Sequence, residues 1–108
     1  KFWSLWENDK LIGCGALKFL EDGHGELKSI RIAESFRNKG YGIKVIKHLI
    51  LEAKKLNMKK ISLETGAGNF FLPARKLFKK CGFKNCKPFD NYEETSDSCY
   101  MSLQISNF

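Results

Sequence analysis

Arg37-Asn38-Lys39-Gly40-Tyr41-Gly42 stands between a strand-forming run, Glu26 to Ile32, and the clearest helical pattern in the chain, Tyr41 to Leu56. In that helix Val45, Ile46, Leu49, Ile50, Ala53 and Leu56 recur at three- and four-residue spacing, while Lys44, Lys47, Lys54 and Lys55 fill the other face. Gly40 and Gly42 let the main chain turn tightly and come close to a ligand. The N–H groups that open a helix lack intrahelical acceptors, and the helix dipole adds partial positive charge, so the loop suits an anion. Arg37 and Lys39 add formal charge. A pyrophosphate is the natural guest, although such glycine pairs also occur in plain helix-capping loops. The stretch does not read Gly-x-x-x-x-Gly-Lys-Ser/Thr, and it lacks the third glycine of the dinucleotide fingerprint.

Upstream, Lys1 to Trp6 and Leu11 to Leu20 read as two antiparallel strands joined by the polar loop Glu7-Asn8-Asp9-Lys10. Gly13 and Gly15 suggest a bulge in the second, and Glu21-Asp22-Gly23-His24-Gly25 is a turn before the third, Glu26 to Ile32. Ala33 to Phe36 is a polar connector. Downstream, Asn57 suits a left-handed helix stop, and Lys60 to Glu64 is a strand. Pro73 opens a second helix that carries Ala74, Leu77, Phe78 and Cys81 on one face and ends at Gly82. Phe83 returns the chain to the sheet, and Ser98 to Ile105 closes it after a long loop, Lys87 to Asp97, of the kind that often lines a site. The order β-β-β-α-β-α-β predicts an α/β (α+β) fold. Its sheet is mixed and mostly antiparallel, with a central parallel βαβ crossover and helices packed on it.

At 108 residues the chain is expected to be one domain, 1–108. Nineteen basic against twelve acidic residues give +7, which favours a polyanionic ligand. The lysines are spread along helix faces and no zinc finger, RNP motif or DNA-reading helix is present, so nucleic acid is not the expected partner. Leu49-Ile50-Leu51 is far too short to span a bilayer, and no signal peptide is recognisable, so no membrane is expected either. Cys14, Cys81, Cys86 and Cys99 have no Cys-x-x-Cys spacing, and His24 and His48 do not complete a zinc site; reduced, mostly buried thiols, no metal and a cytoplasmic location are the expectation. The chain starts at Lys1 and enters strand-like residues at once, which suggests that an N-terminal segment is absent.

Arg37-x-x-Gly40-x-Gly42 resembles the Arg/Gln-x-x-Gly-x-Gly/Ala signature of the Gcn5-related N-acetyltransferase (GNAT) superfamily, and Gly25 to Ile32 resembles the strand before it. Leu63-Glu64-Thr65-Gly66, Phe70-Phe71-x-Pro73-Ala74-Arg75-x-Leu77-Phe78, Gly82-Phe83, Cys86-x-Pro88-Phe89 and Tyr92 resemble a bacterial subgroup labelled YsnE-like. The resemblance covers nearly the whole chain. The resemblance implies that the family's first strand and the one or two helices after it are absent from this chain. It implies acetyl-coenzyme A as cofactor, with two central strands parted around its pantetheine arm. Backbone groups near Ile30, Arg31 and Ile32 would bind that arm, and Arg37, Asn38, Lys39, Gly40, Tyr41, Gly42 and Ile43 would hold the pyrophosphate. Asn69, Phe71, Ala74 and Phe78 would lie alongside, with Phe71 replacing the usual asparagine.

An alkylammonium with pKa near about 10 has no lone pair, so acetyl transfer to an amine needs a base. The resemblance offers Glu26, with Glu64 in reserve; the plainer reading of Glu26 is an exposed carboxylate at a strand edge. Many relatives have a tyrosine at Phe78 that protonates the leaving thiolate. Phe78 cannot, and Tyr92 is the candidate substitute. Phe70, Phe71, Phe89 and Tyr92 either line an acceptor pocket or are plain core. Cys81 sits in an apolar stripe, so no acyl-enzyme is expected. The leading expectation is direct acetyl transfer to a primary amine of a small molecule or protein in a ternary complex. A catalytically silent acyl-coenzyme A-binding module is the alternative. The acceptor's identity and the oligomeric state, a homodimer included, are left open.

Overall fold

The computed structural model describes residues 1–21 and 23–105. Strands β1 (Phe2–Glu7), β2 (Lys10–Glu21) and β3 (His24–Ile32) form an antiparallel meander. Helix α1 (Tyr41–Lys55) leads to β4 (Lys60–Gly66), and helix α2 (Leu72–Lys80) leads to β5 (Lys84–Asn85) and β6 (Ser98–Gln104). The six strands make one sheet in the order β1-β2-β3-β4-β6-β5, in which the β3–β4 pair is parallel. Short 3₁₀ turns precede each helix, at Glu34–Phe36 and Asn69–Phe71.

Several boundaries differ from the sequence expectation for local reasons. Asn8 (φ 49°) and Asp9 (φ 63°) both adopt the left-handed conformation that Asn and Asp tolerate, so the first hairpin closes in two residues. Glu7 and Lys10, expected in the loop, therefore face each other across the strands. Likewise β3 begins at His24 rather than Glu26, and Asp22 of the predicted turn lies outside the described residues. Strand β4 runs on to Gly66 because β6 pairs with it up to Ser98. The bulge expected near Gly13 and Gly15 is present: the β2–β3 register shifts between Cys14 and Ala16, opposite Ser29, whose φ is 57°. Asn57 (φ 62°) and Gly82 (φ 99°) end the helices as expected.

Both helices lie on one face of the sheet. Leu17, Leu27, Ile61, Leu63 and Met101 point into that face, where they bury against Val45, Ile46, Leu49 and Ala53 of α1 and Phe78 of α2. Each of these side chains except the smaller Ala53 contributes on the order of 1.5–3 kcal/mol by leaving water. Strand alternation turns Lys18, Glu26, Ser62 and Tyr100 to the opposite face.

The parallel contact between β3 and β4 is short. It runs through His24–Lys60, Gly25–Ile61 and Glu26–Ser62. Beyond Glu26, β3 continues to Ile32 on the β2 side, and β4 continues to Gly66 on the β6 side. The two strands therefore part, and among the described residues no strand fills the gap.

Helix α1 opens at that gap and packs on α2 through Gly42: a Cβ there would lie 2.6 Å from Leu77 Cδ2. Gly42→Ala should therefore destabilise the fold by about 1–3 kcal/mol through overpacking, despite the better helix propensity of alanine. In a Leu77→Ala background, urea unfolding should show that cost largely gone; an equal cost in both backgrounds would contradict the packing role.

Candidate active site

The glycine loop presents its main chain at the open end of the gap. Gly40 is left-handed (φ 84°), with nothing within 4 Å of where a Cβ would be, so the backbone is approachable there. Asn38 (φ 60°) is left-handed too. Tyr41, Gly42 and Ile43 form the first turn of α1, whose N–H groups receive no side-chain cap and meet no acidic residue in that turn. These amides are thus available to an anion. Lys39 is exposed beside them.

The side chains around the loop are not all used as their charge suggested. Arg37 Nε donates to the Ile32 carbonyl at 3.0 Å, tying the loop back to β3, and Arg31 Nη1 donates to the Ile30 carbonyl at 3.3 Å. Asn69 is exposed on its 3₁₀ turn, Phe71 packs over Gly66, and Ala74 is half-buried against the core. Phe78 is buried edge-on against Phe83, with ring centroids 5.7 Å apart, so it is a core residue. The parted strands, the open Gly40 and the uncapped helix start together fit a long, thin arm ending in a diphosphate.

At the closed end of the gap the structure brings Glu26 and Tyr92 together. Glu26 is 2% exposed, which rules out the exposed-edge reading. Tyr92 O–H donates to Glu26 Oε2 at 2.6 Å, while the buried Oε1 has no hydrogen-bond partner among the described residues. That hydrogen bond, then burial, then the charges of Glu26, Glu64 and Asp90 push the Tyr92 phenol well above its ordinary range. Tyr92 therefore keeps its proton at neutral pH. Its hydroxyl is committed to Glu26 Oε2. Glu64, by contrast, is exposed and accepts from Ser98 Oγ at 2.7 Å.

The aromatic candidates divide. Phe70 is 87% exposed, and Phe71 rests on it edge-on at 5.1 Å, outside the core. Phe89 and Tyr92 are half-buried and pack with Tyr100, at 5.9 Å and 5.6 Å respectively. Tyr100 O–H donates to the Glu93 carbonyl at 3.0 Å, which fastens the long loop over the sheet. His24 Nε2 meets Ser62 Oγ at 2.7 Å; burial first and Lys60 second lower the His24 pKa, so it is neutral at pH 7. All four cysteines are free but half-buried, which corrects the expectation of mostly buried thiols. Burial raises the Cys81 pKa and Lys47 only partly offsets this, in keeping with a packing role.

Some functional contacts were invisible in the sequence. Tyr41 O–H donates to Glu7 Oε1 at 3.2 Å and its ring meets Phe36 edge-on at 4.8 Å, bracing the glycine loop. Arg75 Nη1 donates to the carbonyls of Gly66 (2.6 Å) and Gly68 (2.9 Å), fixing the far wall of the gap. Both join residues distant in the chain, and no local pattern marks them. Among the described residues no helix is long and apolar enough to cross a membrane.

The model of the acetyltransferase (GNAT) family matches residues 1–83. The chain is 47% identical over 104 residues to the uncharacterized N-acetyltransferase YsnE of Bacillus subtilis, covering 96% of this chain and 69% of YsnE. It is 39% identical to the uncharacterized N-acetyltransferase YedL of Escherichia coli, covering 96% of this chain and 65% of YedL. A Bacillus subtilis acetyltransferase solved in complex with CoA superposes with a TM-score of 0.82 at 25% identity, over 97% of this chain and 76% of that one. The parted strands, the glycine loop and these likenesses agree: the chain belongs to the GNAT family of acetyltransferase enzymes and within it is similar to YsnE.

Proposed function

We propose that the chain transfers an acetyl group from acetyl-coenzyme A to a primary amine, with Glu26 as the base. The observation that carries this is the buried Glu26 carboxylate, one oxygen held by Tyr92 and the other free, at the point where β3 and β4 part. Acetyl-coenzyme A, when bound, supplies the activated thioester. The amides of Gly40 to Ile43 would receive its diphosphate, and the β3 backbone from Ile30 to Ile32 would line its arm. Arg37 and Arg31 hold the carbonyls of Ile32 and Ile30, and main-chain N–H groups of the same stretch would donate toward an acyl oxygen.

Transfer forms an N–C bond and breaks a C–S bond, with sulfur keeping the electron pair. The enclosed Glu26 carboxylate takes the proton of the attacking nitrogen through an intervening water, and Tyr92 steadies Oε2 meanwhile. Neither Phe78 nor Tyr92 is suited to protonate sulfur. A thiolate with pKa near about 8.5 leaves without that help, and its proton comes from solvent. The arrangement does not need Cys81.

Glu26→Gln keeps the shape and removes the base, so kcat/KM at neutral pH should fall by about 10²–10⁴ while coenzyme A affinity is unchanged. Full activity in that variant, measured by thiol release, would assign the base elsewhere.

Tyr92→Phe should cost about 1–3 kcal/mol of stability by stripping a buried carboxylate of its donor. The folded-state pKa of Tyr92 is raised, so its stabilising effect is complete below about pH 10, where unfolded tyrosine ionises, and is lost above it. Urea denaturation from pH 7 to 11 should show the gap between wild type and variant shrinking past about pH 10; a widening gap would mean that the sign is wrong.

A further inference from the structure

Residues 65–89 hold six basic residues, Arg75, Lys76, Lys79, Lys80, Lys84 and Lys87, and no acidic one. That leaves thirteen basic against twelve acidic residues for the rest of the chain, so nearly all of the +7 net charge lies in this one stretch. The same stretch exposes three consecutive apolar side chains where it turns into α2: Phe70 (87% exposed), Phe71 (43%) and Leu72 (39%). Helix geometry joins the two features. Leu72, Lys76, Lys79 and Lys80 stand at i, i+4, i+7 and i+8, so they form one exposed stripe of α2, opposite the side that packs Ala74, Leu77 and Phe78 on the core. Among the described residues none of these three lysines is ion-paired. The corner is braced from behind: Arg75 holds the Gly66 and Gly68 carbonyls, Phe71 N–H donates to the Gly68 carbonyl at 3.1 Å, and the Phe70 ring stands edge-on to Phe71. Phe70 is thus already ordered while it faces water, which lowers the cost of burying it against a partner.

A clustered set of aromatic and aliphatic side chains beside unpaired ammonium groups complements the interface of an anionic bilayer. Lysines meet headgroup phosphates as point charges, while Phe and Leu enter the acyl boundary beneath them. Such contact is peripheral and needs no spanning helix. A nucleic acid fits this corner less well, because it reads planar stacking surfaces. Here Phe70 alone is free to offer one, since Phe71 covers Gly66 and neither Leu72 nor Pro73 is aromatic. We infer that the apolar corner at residues 70–72 and the lysines of α2 form a peripheral docking surface for an anionic lipid bilayer. The corner follows on the end of β4, so a docked chain holds the open end of the gap near the headgroups. The inference does not depend on acetyl transfer.

The test floats the chain with vesicles of phosphatidylcholine alone and of phosphatidylcholine mixed equally with phosphatidylglycerol, at about 0.1 M salt. Partitioning should favour the anionic vesicles by about tenfold or more. Phe70→Ser should lower it by about tenfold, and the pair Lys76→Gln with Lys80→Gln by about twentyfold. The control pair, Lys54→Gln with Lys59→Gln, removes the same charge where α1 ends and β4 begins, at the other end of the sheet, and should cost less than about twofold. All five side chains are exposed, so the variants should keep the fold, which thermal unfolding checks. No binding to anionic vesicles, no effect of Phe70→Ser, or an equal loss for the two lysine pairs would overturn the inference. A single-stranded oligonucleotide bound more tightly than the vesicles, with the same dependence on Phe70, would give the surface to nucleic acid instead. Coenzyme A affinity should be unchanged in the Lys76 and Lys80 variant; a loss as large as that for vesicles would assign these lysines to the cofactor and overturn the docking role.

Discussion

The early end of the parallel contact between β3 and β4 is the constraint on which the rest depends. A parallel pair that ran the full length of both strands would bury its edges and leave nothing for a ligand. Here the pairing stops after Glu26 and Ser62, because β3 turns away at the Ser29 bulge while β4 stays registered with β6. Unpaired backbone edges are costly when buried and useful when they face a ligand. The gap puts such an edge beside the first turn of α1, and it puts the one carboxylate buried among the described residues at its closed end.

Energetically the two faces of the sheet are opposites. The helix side holds the apolar cluster, in which Leu49, Val45 and Ile61 are wholly buried. The other side holds polar groups that are tied one to another: Glu26 to Tyr92, Glu64 to Ser98, His24 to Ser62. Hydrogen bonds of this kind add little net stability when complete and cost much when one partner is lost, so they act mainly to fix geometry. The loop that carries Tyr92 is held by side chains of β6 and β2, Tyr100 and Lys18, together with main-chain bonds from Tyr92 N–H to the Phe89 carbonyl and from Ala67 N–H to the Asp97 carbonyl.

Much of this was legible beforehand. Helix α1 was readable because its apolar residues repeat with the helical period, and the helix stops at Asn57 and Gly82 were readable because only certain residues take a left-handed backbone. The glycine loop was legible by its place between strand and helix, yet Gly42 proved to be a packing glycine against Leu77 as well as a loop glycine. Glu26 was a candidate by resemblance alone. Its burial comes from a loop some sixty residues later, which no local pattern announces. Tyr92, expected as a candidate acid, donates its hydroxyl to Glu26, a partner sixty-six residues away, and a hydroxyl pressed against a carboxylate holds its proton more tightly. Phe78, expected beside the cofactor, packs in the core with its ring edge-on to Phe83.

A crystal structure of the chain grown with coenzyme A tests the central claim most directly. The diphosphate should lie within hydrogen-bonding distance of the amides of Gly40 to Ile43, and the pantetheine arm should run between β3 and β4 toward Glu26. Density for the cofactor on any other surface, or an unoccupied gap at saturating coenzyme A, would contradict the account.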